Sequence, residues 1–160
     1  MAESKGRKTL RFEVGTSSCS DPYEIDMTAS AEAVYKELYR NSKDAEKRSD
    51  YSSNHCTTFK MVREAIRETI PKNPFAKQHA LRGEFANMFR LRKGHIRITW
   101  IASTRVRKIC IMSISETSRK EGALHDPYVI LSNLVAAGKF DELFKRYGVR
   151  MQHLGNPGMA

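Results

Sequence analysis

The chain has 160 residues, 40% of them hydrophobic and 29% charged, which suits one domain around one core. Mean hydropathy is −0.55, and no apolar run reaches the roughly 18 residues of a membrane helix. The charged opening stretch MAESKGRKTLRF has no apolar segment of the kind a secretory signal needs.

Three cysteines, Cys19, Cys56 and Cys110, are odd in number and form no CxxC pair. That argues against a disulfide framework or a zinc site and for a reducing, cytoplasmic compartment. Formal net charge is +10, from 28 basic and 18 acidic residues. Between Arg82 and Lys120, ten basic residues meet only Glu84 and Glu116. That segment thus carries +8, and the rest of the chain +2. A localised positive field captures polyanions, so RNA is the expected partner. A solvated sheet face with no partner is the weaker reading.

In chain order, residues 1–22 read as a flexible tail, in which Leu10, Phe12 and Val14 are an extra edge strand or nothing. Glu24 to Met27 reads as a short strand, and Thr28 or Ser30 as the N-cap of a first helix. Ala31, Val34, Tyr35, Leu38 and Tyr39 fall at helical spacing, and polar Asn41–Ser49 is assigned to the turn. In the second helix Tyr51, His55, Phe59, Val62, Ile66 and Ile70 make one apolar stripe, ended by Pro71 and Pro74. The period then changes to two. Phe89 and Leu91 alternate with Arg90 and Arg92; Lys93-Gly94 forms a tight turn. Ile96, Ile98 and Trp100 alternate with Arg97 and Thr99. After a turn at Ser103–Val106, Arg107–Ser115 is apolar on both faces and therefore central, with Ile109 and Ile111 on one face and Cys110, Met112 and Ile114 on the other. Asp126 caps a helix that starts at Pro127, buries Val129, Ile130, Leu134 and Val135, and stops at Gly138. A last helix, Asp141–Tyr147, ends at Gly148, and residues 151–160 read as a tail. The expected architecture is one α+β domain over 23–150.

Side chains two apart on a strand share a face, so Arg90 and Arg92 point together. Arg97 and Thr99 should face solvent beside them. Arg119 and Lys120 follow the third strand toward the same end, with His125 and Tyr128 beyond. Arginine grips phosphate oxygens bidentately and can stabilise a pentacoordinate phosphorane. A tyrosine can stack on a base, and a histidine can move protons. The basic segment lacks the paired carboxylates of a magnesium nuclease. No metal or other cofactor is expected. RNA cleavage through its own 2′-hydroxyl needs none. His55 reads as a core or boundary residue, and His79 and His153 as loop residues. His95 is equally a hairpin residue or a site residue, and His125 equally a capping-loop residue or a site residue. Tyr35, Tyr39, Tyr51 and Trp100 read as core. Arg105, Arg107 and Lys108 lie at the opposite end, as a second RNA contact or a solubilising turn.

Taken together, REAIRETIPKNPFAKQHALRG at 63–83, FRLRKGHIRITW at 89–100 and SETSRKEGALHDPYVILSNLVAAGKFDEL at 115–143 resemble the RelE/ParE superfamily of bacterial toxins, most of all the YhaV family. The resemblance spans roughly residues 30–148. It implies a RelE-like fold, with an N-terminal helical hairpin packed on an antiparallel meander followed by C-terminal helices. It also implies an endoribonuclease that cuts mRNA, usually on the ribosome, and is silenced by a PrlF/AbrB-like or other small antitoxin. By that likeness Arg90 and Arg92 handle proton and phosphate, Arg97 holds the scissile phosphate, Arg119 acts near the leaving group and Tyr128 supports the nucleotide. Arg82, Lys93, His95 and Lys120 are further candidate RNA contacts. RelE-like toxins often carry lysines where this chain has arginines, and arginine is a poor general base. Proton transfer is therefore left to Lys93, His95, His125 or the ribosome. The alternatives are a gyrase inhibitor of the same fold and an RNA- or ribosome-binding module without cleavage.

Overall fold

A computed structural model describes residues 23–82, 85–116 and 127–149, with backbone alone for 127–130. The stretch Leu10–Val14 and the residues Arg119, Lys120, His125 and Asp126 lie outside the described residues, as do both tails.

Strand β1 (Glu24–Met27) runs directly into helix α1 (Ala29–Lys47). Thr28 is the N-cap, its Oγ1 accepting from the Ala31 N–H at 3.3 Å. Helix α1 runs through Asn41–Lys47, where a turn was expected. Ser42 and Ala45 extend the stripe of Ala31, Tyr35 and Leu38 and are themselves buried. Their small side chains let the next helix approach, and the Cys56 thiol donates to the Ser42 carbonyl at 3.5 Å.

Helix α2 (Asn54–Glu64) starts later than its apolar stripe suggests, because Ser53 caps it by accepting from the Cys56 N–H at 3.2 Å. Tyr51 therefore sits in the turn, 70% exposed, and His55 is exposed in the first helical turn. Neither belongs to the core. Tyr39 is also half out, at 48%. Pro71 does not stop the helix. A π-helical turn (Ala65–Thr69) widens the spiral, with the Ile70 N–H donating to the Ala65 carbonyl, and one turn, α3 (Ile70–Lys72), follows. Proline has no N–H to give and crowds the preceding turn, and a widened turn accommodates both.

The meander consists of β2 (Phe89–Lys93), β3 (Ile96–Ser103) and β4 (Lys108–Glu116), and the sheet order is β1-β4-β3-β2. β4 is thus an interior strand, as its two apolar faces require, with β1 parallel on its other side. The β2–β3 turn is Gly94-His95, one residue later than expected, and Gly94 takes φ +56. Ala80 bridges to Phe89, covering the start of the β2 edge.

One face of the sheet packs on α1 and α2. Ile25, Leu91, Ile98, Trp100, Ile109, Ile111 and Ile114 are all buried there with Tyr35, Phe59, Val62 and Ile66. The Trp100 ring stacks on Phe89 with centroids 5.9 Å apart, and its Nε1–H donates to the Pro74 carbonyl at 2.9 Å.

The presence of Ile114 on this face corrects the alternation expected of β4. Thr99 pairs with Ser113 but Trp100 pairs with Ile111, so Met112 is an extra residue in β4. This β-bulge reverses the strand's phase. Cys110 and Met112 stay on the second face, while Ile114 joins Ile109 and Ile111. Thr28 closes the β1–β4 ladder at the bulge and adds a side-chain bond there. Its N–H donates to the Ile111 carbonyl at 3.0 Å and its hydroxyl to the Met112 carbonyl at 2.8 Å.

Helices α4 (Pro127–Ala136) and α5 (Asp141–Tyr147) serve the second face. Leu131 is the buried side chain of α4, and Leu134 and Val135 are half-buried. Val129 and Ile130 fall outside the described side chains. Gly138 and Gly148 end the two helices at φ +73 and +67. The Val149 N–H returns to the Phe144 carbonyl at 2.9 Å, the arrangement that seals a helix C-terminus.

Candidate nucleic-acid interface

The second face of the sheet is divided crosswise. Its middle band is apolar: Met88, Ile101, Cys110 and Met112 pack with Leu131, Phe144 and Tyr147. Toward the Gly94-His95 turn the same face becomes polar. The register places Arg92, Arg97 and Ser115 in one row across β2, β3 and β4, and Arg90, Thr99 and Ser113 in the next. Three arginines and three hydroxyls therefore occupy two adjacent rows of three strands. The Thr99 and Ser113 hydroxyls are hydrogen-bonded to each other.

Burial grades across this patch. Arg92 is exposed and Arg90 half-buried, whereas Arg97 is 9% and Thr99 3% exposed. Arg97 and Thr99 thus lie on the expected face but do not stand free in solvent, because β3 is interior and its neighbours rise on both sides. A buried guanidinium acts on a nearby charge through a lower dielectric than an exposed one. A phosphate reaching Arg97 would be held more strongly than one on Arg92.

Lys93 and His95 are exposed at the hairpin tip that borders the patch. Arg82 is exposed but lies elsewhere: Ala80 and Leu81 run antiparallel to Phe89 and Met88, which carries Arg82 away from the tip. The chain leaves β4 at Glu116, opposite Ile96 and so at the hairpin end. Arg119, Lys120 and His125 follow outside the described residues. So does the side chain of Tyr128, whose backbone is in the first turn of α4.

The remaining cations lie at the other end of the sheet and are engaged there. Lys108 Nζ is 3.7 Å from Asp26 Oδ2 and 4.0 Å from Glu24. The Arg107 guanidinium lies over the Tyr23 ring at 4.3 Å. Arg105 Nη2 donates to the Arg146 carbonyl at 3.3 Å. A cavity of about 620 Å³ opens at this end, lined by Phe75, Asn87, Ser103, Arg105 and Tyr147 among others. None of Arg90, Arg92 and Arg97 lines it.

Beneath α5 the Tyr147 hydroxyl donates to Asp26 Oδ2 at 3.0 Å. Burial, the Cys110 thiol and Asp26 together raise the Tyr147 pKa. Burial, with Asp26 nearby, pushes the Cys110 thiol up to about 12. This thiol is inert packing, as expected of a cysteine between isoleucines, because only the thiolate is reactive. Among the described residues no three His, Cys, Asp or Glu side chains cluster as a metal site would need, and no helix is long and apolar enough to cross a membrane.

Sequence reasoning missed Ser113 and Ser115, and read Thr28 as a helix cap without its second bond to β4. The alternation in SISE was visible, but its phase relative to the arginines depends on the bulge.

No protein-family model matches the chain, and no curated protein matches its sequence. Among solved structures it is similar to the toxin–antitoxin complex RelBE2 from Mycobacterium tuberculosis, at 18% identity over 61% of this chain and 100% of that one, with a TM-score of 0.40. It is also similar to the YoeB/ParE toxin from Agrobacterium tumefaciens, at 15% identity over 59% and 98% of the two chains, with a TM-score of 0.44. Against the isolated E. coli RelE toxin the figures are 13% identity, 73% and 98% coverage, and a TM-score of 0.46.

Proposed function

We propose that the chain is the toxin of a toxin–antitoxin pair, a RelE-like endoribonuclease that cleaves mRNA without a metal. The observation that carries this reading is the placing of Arg90, Arg92 and Arg97 in adjacent rows on one sheet face. The motifs quoted above supply the rest. In the reaction the 2′-oxygen attacks the adjacent phosphorus, and its proton passes to a base. The P–O5′ bond breaks and the 5′-oxygen takes up a proton. The products are a 2′,3′-cyclic phosphate and a 5′-hydroxyl. Arg97 holds the non-bridging oxygens and stabilises the phosphorane, Arg90 and Arg92 guide the backbone, and Arg119 neutralises the leaving group. Lys93, His95 and His125 are the candidates for proton transfer. Tyr128 supports a base, and Arg82 and Lys120 extend the RNA track. A small antitoxin, and the ribosome as the place of action, complete the proposal.

Purified protein is mixed with bare mRNA and with translating ribosomes, and new 5′ ends are mapped. Cleavage is expected to vanish in Arg97→Ala and Arg119→Ala while circular dichroism stays native. Normal cutting by both variants would move the site elsewhere. No cutting by the wild type, together with inhibited supercoiling, would favour a gyrase inhibitor. One observation favours a binding module instead. The described residues of the two rows offer only guanidiniums and hydroxyls, none of them an ordinary base. Tight RNA binding without new ends would establish that reading.

A further inference from the structure

Two features of β4 bear on the arginine rows. The bulge at Met112 turns Ser113 and Ser115 out of the helix-facing core and into the arginine rows. The Ser115 Oγ is then buried yet has no hydrogen-bond partner among the described residues. A buried hydroxyl without a partner is costly, and alanine at 115 would remove that cost. We propose that Thr99, Ser113 and Ser115 form a ribose-reading file, which takes the 2′-hydroxyl of an RNA strand whose phosphates lie on the arginines. The inference rests on the RNA reading above and deepens it.

The chemistry of the two groups divides the ligand between them. Arginine only donates, which suits phosphate oxygens that only accept. A serine or threonine hydroxyl both donates and accepts, and so does a 2′-hydroxyl, the group by which a protein distinguishes RNA from DNA. Within the Thr99–Ser113 pair one hydroxyl hydrogen is consumed internally. The other remains to be given outward, and Ser115 keeps its full capacity. Neighbouring strands are about 4.8 Å apart, so a phosphate over β2 and β3 brings its sugar over β4, where the serines stand.

Oligonucleotides of one sequence are prepared as RNA, as DNA and as the 2′-fluoro analogue, which cannot donate from the 2′ position. Binding is read by fluorescence anisotropy immediately after mixing, and gels confirm that the RNA is intact. Wild type is expected to bind RNA about tenfold more tightly than either analogue, the scale of a net hydrogen bond to a buried group. In Ser115→Ala and Ser113→Ala that preference should shrink toward unity, through loss of RNA affinity with DNA affinity unchanged. Ser115→Thr, which keeps the hydroxyl, should retain it. Equal loss for all three ligands would overturn the file and assign the serines to phosphate contact or to folding. Unchanged preference in both alanine variants would overturn it as well. Salt-sensitive binding of RNA and DNA alike by the wild type would sink the ribose file alone, whereas no binding of any of the three would sink the RNA reading with it.

Discussion

Thr28 donates its hydroxyl to the carbonyl of Met112, 84 residues away, at 2.8 Å. The same oxygen accepts from the Ala31 N–H, so one side chain caps α1 and secures the β4 bulge. Thr28→Val keeps the shape and removes both hydrogen bonds. It is expected to cost about 1–2 kcal/mol, read as a lower midpoint in denaturant unfolding, and to blunt the preference for RNA over DNA. Thr28→Ser should preserve both. A valine variant with unaltered midpoint would show that the bulge holds itself.

Arg92 stands directly opposite Arg97 in the β2–β3 ladder. Like charges so placed oppose folding by about 0.2–1 kcal/mol. Arg92→Thr should therefore raise the melting temperature by roughly 1–3 °C while weakening polyanion binding and reducing the slope of log affinity against log salt by about one contact. A variant that loses stability would mean that Arg92 packs more than it repels.

Lys108 tests the opposite end of the sheet. Its partners Asp26 and Glu24 are part-exposed, so Lys108→Met should cost no more than about 1 kcal/mol. RNA affinity and its salt slope should not change. A reduced slope would extend the RNA track to this end.

Alkali should loosen the packing beneath α5. Cys110 is pushed from the ordinary 9.0 up to about 12, so between those values the unfolded chain holds fewer protons than the native one. Stability is then full below about pH 9 and falls as pH rises, by about 1.4 kcal/mol per unit for this thiol. Tyr147, whose pKa is also raised, adds to the slope above about pH 10, the ordinary phenol value. Cys110→Ala should flatten the curve between pH 9 and 10. Equal slopes for wild type and variant would show that the native thiol titrates normally.

Much of this architecture was legible because local signals agreed with it. Pro127 and Gly138 bracket α4, and Gly148 closes α5 at the expected residue. The Arg90/Arg92 alternation fixed their common face. What escaped the sequence was non-local. Nothing in NSKDAEK announces that Ser42 and Ala45 will be buried against α2. The Ser53 cap, more than the aromatic Tyr51, decides where α2 starts. The parity of Ser113 and Ser115 depends on a bulge anchored by a threonine most of the chain away. The burial of Arg97 likewise follows from β3 being interior, which only the finished sheet determines.

That same threonine sets an order of events in folding. β1 pairs with β4, whose residues follow it by more than 80 positions, whereas β2, β3 and β4 are joined by short turns. Local pairings form fast and long closures late, so the meander is expected to assemble before β1 and Thr28 dock on it. On a chain emerging from the ribosome, the bulge cannot be fastened until β4 has been synthesised. By the reading above, the RNA-facing rows would take their working shape only near the end of translation.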